Sequence, residues 1–198
     1  MTKNMMKIAM VAALVAGGLS AAHAANDVTV TMTGEIDTVS CNVSADGSAS
    51  VKDVLLGNYK PSDFAVGTGA FQGVYTAGTE KKFSVKLSDC AAEAGTAAGT
   101  LNLRVSGNTV LASSSDLFNT EGGATAGATL RTWGADGNTA SGTLLKDQDL
   151  VAMKVVADPT TDLAGTSTMV FGTQMASVGA TPAAQQVTAP VTFTVAYN

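Results

Sequence analysis

The chain has 198 residues, of which only 14% are charged, with 11 Lys and Arg against 16 Asp and Glu and a formal net charge of −5. An acidic surface repels nucleic-acid phosphates and anionic lipid heads, which sets nucleic acid aside as a partner. With one histidine, His23, and two cysteines, Cys41 and Cys90, the chain nearly lacks the side chains that most often shuttle protons or attack as nucleophiles.

Residues 1–24 read as a secretory signal. Lys3 and Lys7 give a basic start, 8–19 form an apolar stretch, and Ala22-His23-Ala24 supplies small residues before a cleavage point. The apolar stretch is short and rich in Gly and Ala, so a membrane-spanning anchor is the weaker reading. Cleavage after Ala24 is expected to leave residues 25–198, a length suited to one domain with a proper core. His23, Lys3 and Lys7 leave with the signal, so nine basic residues then face 16 acidic ones, a net −7. In an oxidising compartment Cys41 and Cys90 are expected to pair, which contributes about 4 kcal/mol in the chain-entropy model. A metal site built on these thiols lacks histidines and a short ligand spacing.

Past the signal, short runs alternate apolar and polar residues with period 2, the mark of half-buried strands. The first run puts Val28, Val30, Met32, Gly34 and Ile36 in phase, with Thr29, Thr31, Thr33 and Glu35 between them. Strands are expected next at 39–43 and 51–56. Phe83, Val85 and Leu87 then alternate with Ser84, Lys86 and Ser88, and Leu101, Leu103 and Val105 with Asn102, Arg104 and Ser106. Further runs fall at 128–130, 151–155 and 169–171, and the chain closes on Val191, Phe193, Val195 and Tyr197. Between them, Asp46-Gly47 and Asp136-Gly137 are turn pairs that tolerate positive φ, and 91–100 and 119–127 read as loops. No repeat, charge block or linker divides 25–198. About eight strands with turns between them predict an all-β sandwich in one domain.

No catalytic constellation emerges. A Ser–His–acid triad needs an imidazole, and the processed chain has none. Asp147 with Asp149, or Asp158 with Asp162, are nominal carboxylate pairs, better read as solvated loop acids. Asp136-Gly137-Asn138 lacks the later ligands of a calcium loop and fits a hairpin turn. Trp133 is expected in the core or half-buried on a strand rather than facing a sugar. The expected protein is no enzyme and holds no cofactor or metal.

Several segments together resemble pilins of the chaperone–usher pathway, nearest to type 1 fimbrial major subunits. They are Gly34-Glu35-Ile36 shortly before Cys41, Val54-Leu55-Leu56-Gly57, Phe83-Ser84-Val85-Lys86-Leu87-Ser88-Asp89-Cys90, and the ending from Ala189-Pro190 to Tyr197-Asn198. One departure is Gln185, where the family often carries a glycine; Gly179 is the nearest here. The resemblance implies an incomplete immunoglobulin-like β-sandwich completed by donor-strand exchange. Residues 1–24 are then the signal, 25–38 the donor-strand extension and 39–198 the pilin domain. Val28, Val30, Met32, Gly34 and Ile36 would enter a neighbour's groove, with Gly34 where the groove leaves no room for a side chain. Four apolar side chains buried there contribute roughly 6–12 kcal/mol before ordering costs. Val191, Phe193, Val195 and Tyr197 would form the groove-edge strand that a chaperone binds first, and Cys41–Cys90 would fasten the first strand. The implied partners are a periplasmic pilus chaperone, an outer-membrane usher and neighbouring pilins, and the implied destination is the surface fimbrium of a Gram-negative bacterium. A carbohydrate-binding fimbrial adhesin or a minor adaptor subunit is the alternative.

Overall fold

A computed structural model describes residues 38–47, 52–111, 114–121 and 123–198. The signal at 1–24 and the in-phase run Val28, Val30, Met32, Gly34 and Ile36 lie outside the described residues. Among the described residues ten strands follow one another: β1 (Val39–Ala45), β2 (Ala65–Val66), β3 (Tyr75–Ala92), β4 (Gly99–Ser106), β5 (Thr109–Leu111), β6 (Ser114–Phe118), β7 (Ala126–Thr132), β8 (Leu150–Val156), β9 (Ser167–Ser177) and β10 (Thr192–Tyr197). Two 3-10 turns, Pro61–Asp63 and Gly69–Phe71, interrupt them.

The strands form two sheets, every pairing antiparallel. The larger has the order β1-β3-β9-β7-β6-β5, with β2 added beside β3; the smaller is β10-β4-β8. Alternation along each strand sends one set of side chains between the sheets. Val85 and Leu87 of β3, Phe171 of β9, Leu130 of β7 and Phe118 of β6 meet Leu101, Leu103 and Val105 of β4 and Val151 and Val156 of β8.

The outer face of the larger sheet is covered too. Ala176 of β9, Val110 of β5 and Leu117 of β6 pack with Val74, Ala124, Phe71 and Leu144 in a second cluster. Leu117 and Phe118 are therefore both fully buried although adjacent, since each serves a different face. This covering buries Thr129 and Gln174, which are satisfied by backbone: Thr129 Oγ1 donates to the Gln174 carbonyl, and Gln174 Nε2 to the Gly78 carbonyl at 2.8 Å.

The strand expected at 51–56 does not form over the described part, 52–56, which belongs to neither sheet. Its residues are apolar enough for a strand, but among the described residues no strand lies beside it to accept its backbone bonds, and Leu55 stays 86% exposed. The expected loop at 91–100 is shorter, because β3 runs on to Ala92 and β4 starts at Gly99. That at 119–127 likewise yields its end to β7. Asp46 and Gly47 take positive φ as expected of a turn pair. Past β7 the chain reverses through Asp136-Gly137 and bonds back, Ser141 N to Thr132 O and Leu145 N to Leu130 O.

Candidate functional site: an open groove beside the last strand

The sandwich is unfinished along one side. Among the described residues β10 pairs only with β4, and β1 only with β3, so each ends its sheet with one backbone edge that no described strand pairs. Where β1 stops at Ala45, the inner face of the larger sheet opens into a groove of about 1130 Å³. Phe83 and Val85 of β3, Met175 of β9, and Ala128 and Leu130 of β7 form its floor. One wall is 52–59 and the other is 182–193. Phe83 and Met175 stay half-buried on this floor, while Val85, Ala128 and Leu130 are buried; a partly covered apolar floor beside a strand edge favours addition of a strand.

Of the expected groove-edge residues, Val191 and Phe193 line the groove, while Val195 and Tyr197 lie further along β10 against the main core. Phe193 reaches across to the larger sheet, with its ring centroid 4.7 Å from Phe171 and 6.1 Å from Phe83. The Tyr197 hydroxyl donates to the Ala97 carbonyl at 2.7 Å, and Asn198 pairs with Thr100 through both backbone groups. The end of β10 is thereby tied down, and its start borders the opening.

Cys41 and Cys90 are joined, with their Cα atoms 4.1 Å apart, and link β1 to β3 where the β1–β3 register shifts. At the far end of β1, Asp46 Oδ1 accepts from the Ser84 N–H at 2.7 Å and the Ser84 hydroxyl at 2.8 Å, and Lys52 stands 3.4 Å away. The Ser84 N–H, foremost, holds the Asp46 carboxyl below its ordinary range.

The other singled-out residues are engaged locally. Asp147 accepts from the Gly107 N–H and Asp149 from the Lys146 N–H. Asp162 accepts from the N–H groups of Ala157 and Asp158, and Asp158 from Thr160. Trp133 is half-buried just past β7, where its indole N–H donates to Glu80 and Lys82 Nζ stands 3.3 Å from its ring centroid. Among the described residues, no three His, Cys, Asp or Glu side chains gather as a metal site would require.

Sequence reasoning found Val191 and Phe193 at the end of one wall but missed the rest of that wall, 182–190, and the other wall as a border of the groove. Residues 182–190 carry no alternation, and Pro182 and Pro190 near their ends are the one local sign of chain kept out of a ladder. Thr173 and Met175 were missed because β9 runs well beyond the apolar run at 169–171.

Among curated proteins, none matches the sequence. Among solved structures, a chain of a chaperone–usher pilus superposes with a TM-score of 0.50 at 18% identity, covering 88% of this chain and 97% of its own length. The P pilus rod subunit PapA gives a TM-score of 0.43 at 18% identity, covering 79% of this chain and 99% of its own. The first of these shares the sandwich architecture described above. A family model described as fimbrial protein matches residues 30–198, which is most of the sequence. The chain belongs to the fimbrial protein family.

Proposed function

We propose that this fimbrial subunit polymerises by donor-strand complementation, residues 25–38 of one copy filling the groove of the next. The observation that supports this is the groove itself, with its apolar floor beside the unpaired edge of β10. Five alternate side chains on a strand rising about 3.4 Å per residue spread over roughly 27 Å. Residues 182–193 are long enough to flank such a strand along its whole length. Val28, Val30, Met32 and Ile36 supply apolar groups for the floor, and Gly34 the small position. Backbone bonds to the start of β10 would give affinity, and the alternating side chains would fix register.

On this reading a periplasmic chaperone covers Val191, Phe193 and the rest of the β10 edge before assembly. An outer-membrane usher then exchanges it for the next subunit, and the filament serves adhesion at the surface of a Gram-negative cell. The function is structural rather than catalytic. The adhesin alternative has less support, since the lone Trp133 has Lys82 over its ring and Arg131 at 5.0 Å, which leaves little stacking platform.

Deleting 25–36 is expected to leave a subunit that still co-purifies with its chaperone but builds no filament; electron microscopy of normal filaments from that deletion would reject the donor strand. Phe193→Asp, which puts a carboxylate against Phe171 and Phe83, is expected to abolish recovery of the chaperone complex. Unchanged co-purification would count against the role given to β10.

A further inference from the structure

The wall at 52–59 has an anchoring problem. Among the described residues, no backbone–backbone hydrogen bond ties 52–59 to either sheet. Beyond the Lys52–Asp46 ion pair at its start, its one hydrogen bond among the described residues is internal, from the Tyr59 hydroxyl to the Leu56 carbonyl at 2.8 Å. Something else must hold this stretch at a fixed distance from the floor.

Two glycines show what does. Gly57 (φ +108°) and Gly78 (φ +71°) both adopt left-handed backbone that disfavours side chains, and both face the tyrosine. A Cβ on Gly57 would lie 2.8 Å from Tyr59 Oη, and one on Gly78 would overlap that oxygen outright. Gly78 stands in β3 where the β3–β9 register breaks, between Ala77 and Lys81. Its carbonyl is fixed by Nε2 of the buried Gln174. Just beyond the wall, the Lys60 N–H donates to Asp63 Oδ2 at 2.7 Å and Pro61 opens a 3-10 turn, which sets where Tyr59 begins. A single ring, seated in a notch of two glycines, thus connects the wall to the larger sheet.

We infer that Tyr59 is the positioning residue for this wall, and that Gly57 and Gly78 form the notch that seats it. The inference rests on the donor-strand reading of the groove. An incoming strand needs a gap of set width between 52–57 and β10, so that its alternate side chains reach the floor. With the ring in its notch, that width exists before the strand arrives, and less ordering remains for the encounter. Without the ring, no other hydrogen bond among the described residues holds 53–57 against the floor. Tyr59 belongs to the wall opposite Val191 and Phe193, and its effect on assembly runs through the wall.

The test uses the full chain and two measurements: thermal unfolding of the unassembled subunit and the rate of filament growth. Tyr59→Ala is expected to slow growth more than tenfold with a shift in unfolding midpoint too small to account for it. Tyr59→Phe, which keeps the ring and loses one hydrogen bond, is expected to slow growth by about three- to tenfold. Gly78→Ala should slow growth as Tyr59→Ala does. The double variant should be no slower than either single one, because each change vacates the same notch. Growth of Tyr59→Ala at the parent rate overturns the inference, and so does a slowing that tracks lost stability or multiplies with that of Gly78→Ala. If Tyr59→Ala does not fold, Tyr59→Phe decides alone, and parent-rate growth of that variant overturns the inference. The 25–36 deletion runs alongside: should it still assemble, the donor-strand reading fails, whereas a defective deletion with normal tyrosine variants removes only the anchor.

Discussion

Glu80 is committed on both carboxylate oxygens. Arg131 Nε donates to one at 2.7 Å and Arg131 Nη2 to the other at 2.5 Å, and the Trp133 indole N–H adds a third bond at 2.9 Å. The side chains of Glu80 and Arg131 are only 12% and 14% exposed, so this fork joins β3 to β7 away from water. Gly172 of β9 makes room for it, since a Cβ there would overlap Glu80 Oε1 and Trp133 Nε1. Burial alone would raise the Glu80 carboxyl, but the hydrogen bonds from Arg131 and Trp133 and the charges of Arg131 and Lys82 outweigh it and hold it below its ordinary value near 4.5. A carboxylate depressed in the folded state contributes stability above its unfolded value and loses it as pH falls through the folded one. Thermal midpoints measured from neutral pH downward should therefore drop below about pH 4.5. Glu80→Gln should be less stable at neutral pH by up to about 3 kcal/mol, the scale for a buried pair losing one partner, and should have a shallower acid slope. Asp46, held low by Ser84, titrates in the same region in both proteins and cancels from the difference. Parallel pH curves for parent and variant would deny Glu80 this role. Nothing in the sequence announced the fork: its partners are 51 positions apart, and the cue at Trp133 was only that a lone tryptophan prefers a sheltered place.

At the scale of elements, alternation revealed the strands that show one face to the core and failed where both faces are covered. The runs at 39–43, 83–88 and 101–106 correspond to β1, the middle of β3, and β4. β5 and β6 escaped notice because Val110 and Leu117 bury on the outer cluster while Phe118 buries on the inner one, which erases the period. The opposite error at 51–56 is more instructive: among the described residues no strand pairs with 52–56, at the border of the groove. A pattern describes side chains, whereas a ladder needs a neighbour for the backbone. β1 shows the same dependence, since among the described residues it pairs only with β3, to which Cys41–Cys90 staples it. Closing a loop of 49 residues contributes about 4 kcal/mol in the chain-entropy model. Cys41→Ser with Cys90→Ser is expected to cost a similar amount in denaturant unfolding. Hydrogen exchange in that variant should rise first across β1, while β7 and β9, paired on both sides within the larger sheet, stay protected. Uniform loss of protection would mean the bridge supports the whole sandwich rather than its edge.

For the whole molecule, donor-strand complementation would make stability a property of two chains. A sandwich with an open apolar floor gains free energy from anything that binds it folded and not unfolded, by RT ln(1 + [L]/Kd), about 2.7 kcal/mol at a hundredfold excess over Kd. If residues 25–38 are the natural occupant, a synthetic peptide of that sequence should stabilise the chain lacking 25–36. The unfolding midpoint should then climb with the logarithm of peptide concentration. Substitution within the peptide tests the register. Gly34→Leu adds four carbons at the position assigned to the narrowest part of the groove, so it should remove most of the gain. Val30→Ala removes only two carbons from a floor-facing position and should weaken binding by about tenfold, at roughly 0.8 kcal/mol per buried carbon. A Gly34→Leu peptide that stabilises as well as the parent would displace glycine from the tight position, and with it the proposed register. A peptide with the same composition in scrambled order, which breaks the alternation of Val28, Val30, Met32 and Ile36, should give no concentration-dependent shift. If it did, the groove would be a general apolar sink, and the match between this extension and this floor would lose its support.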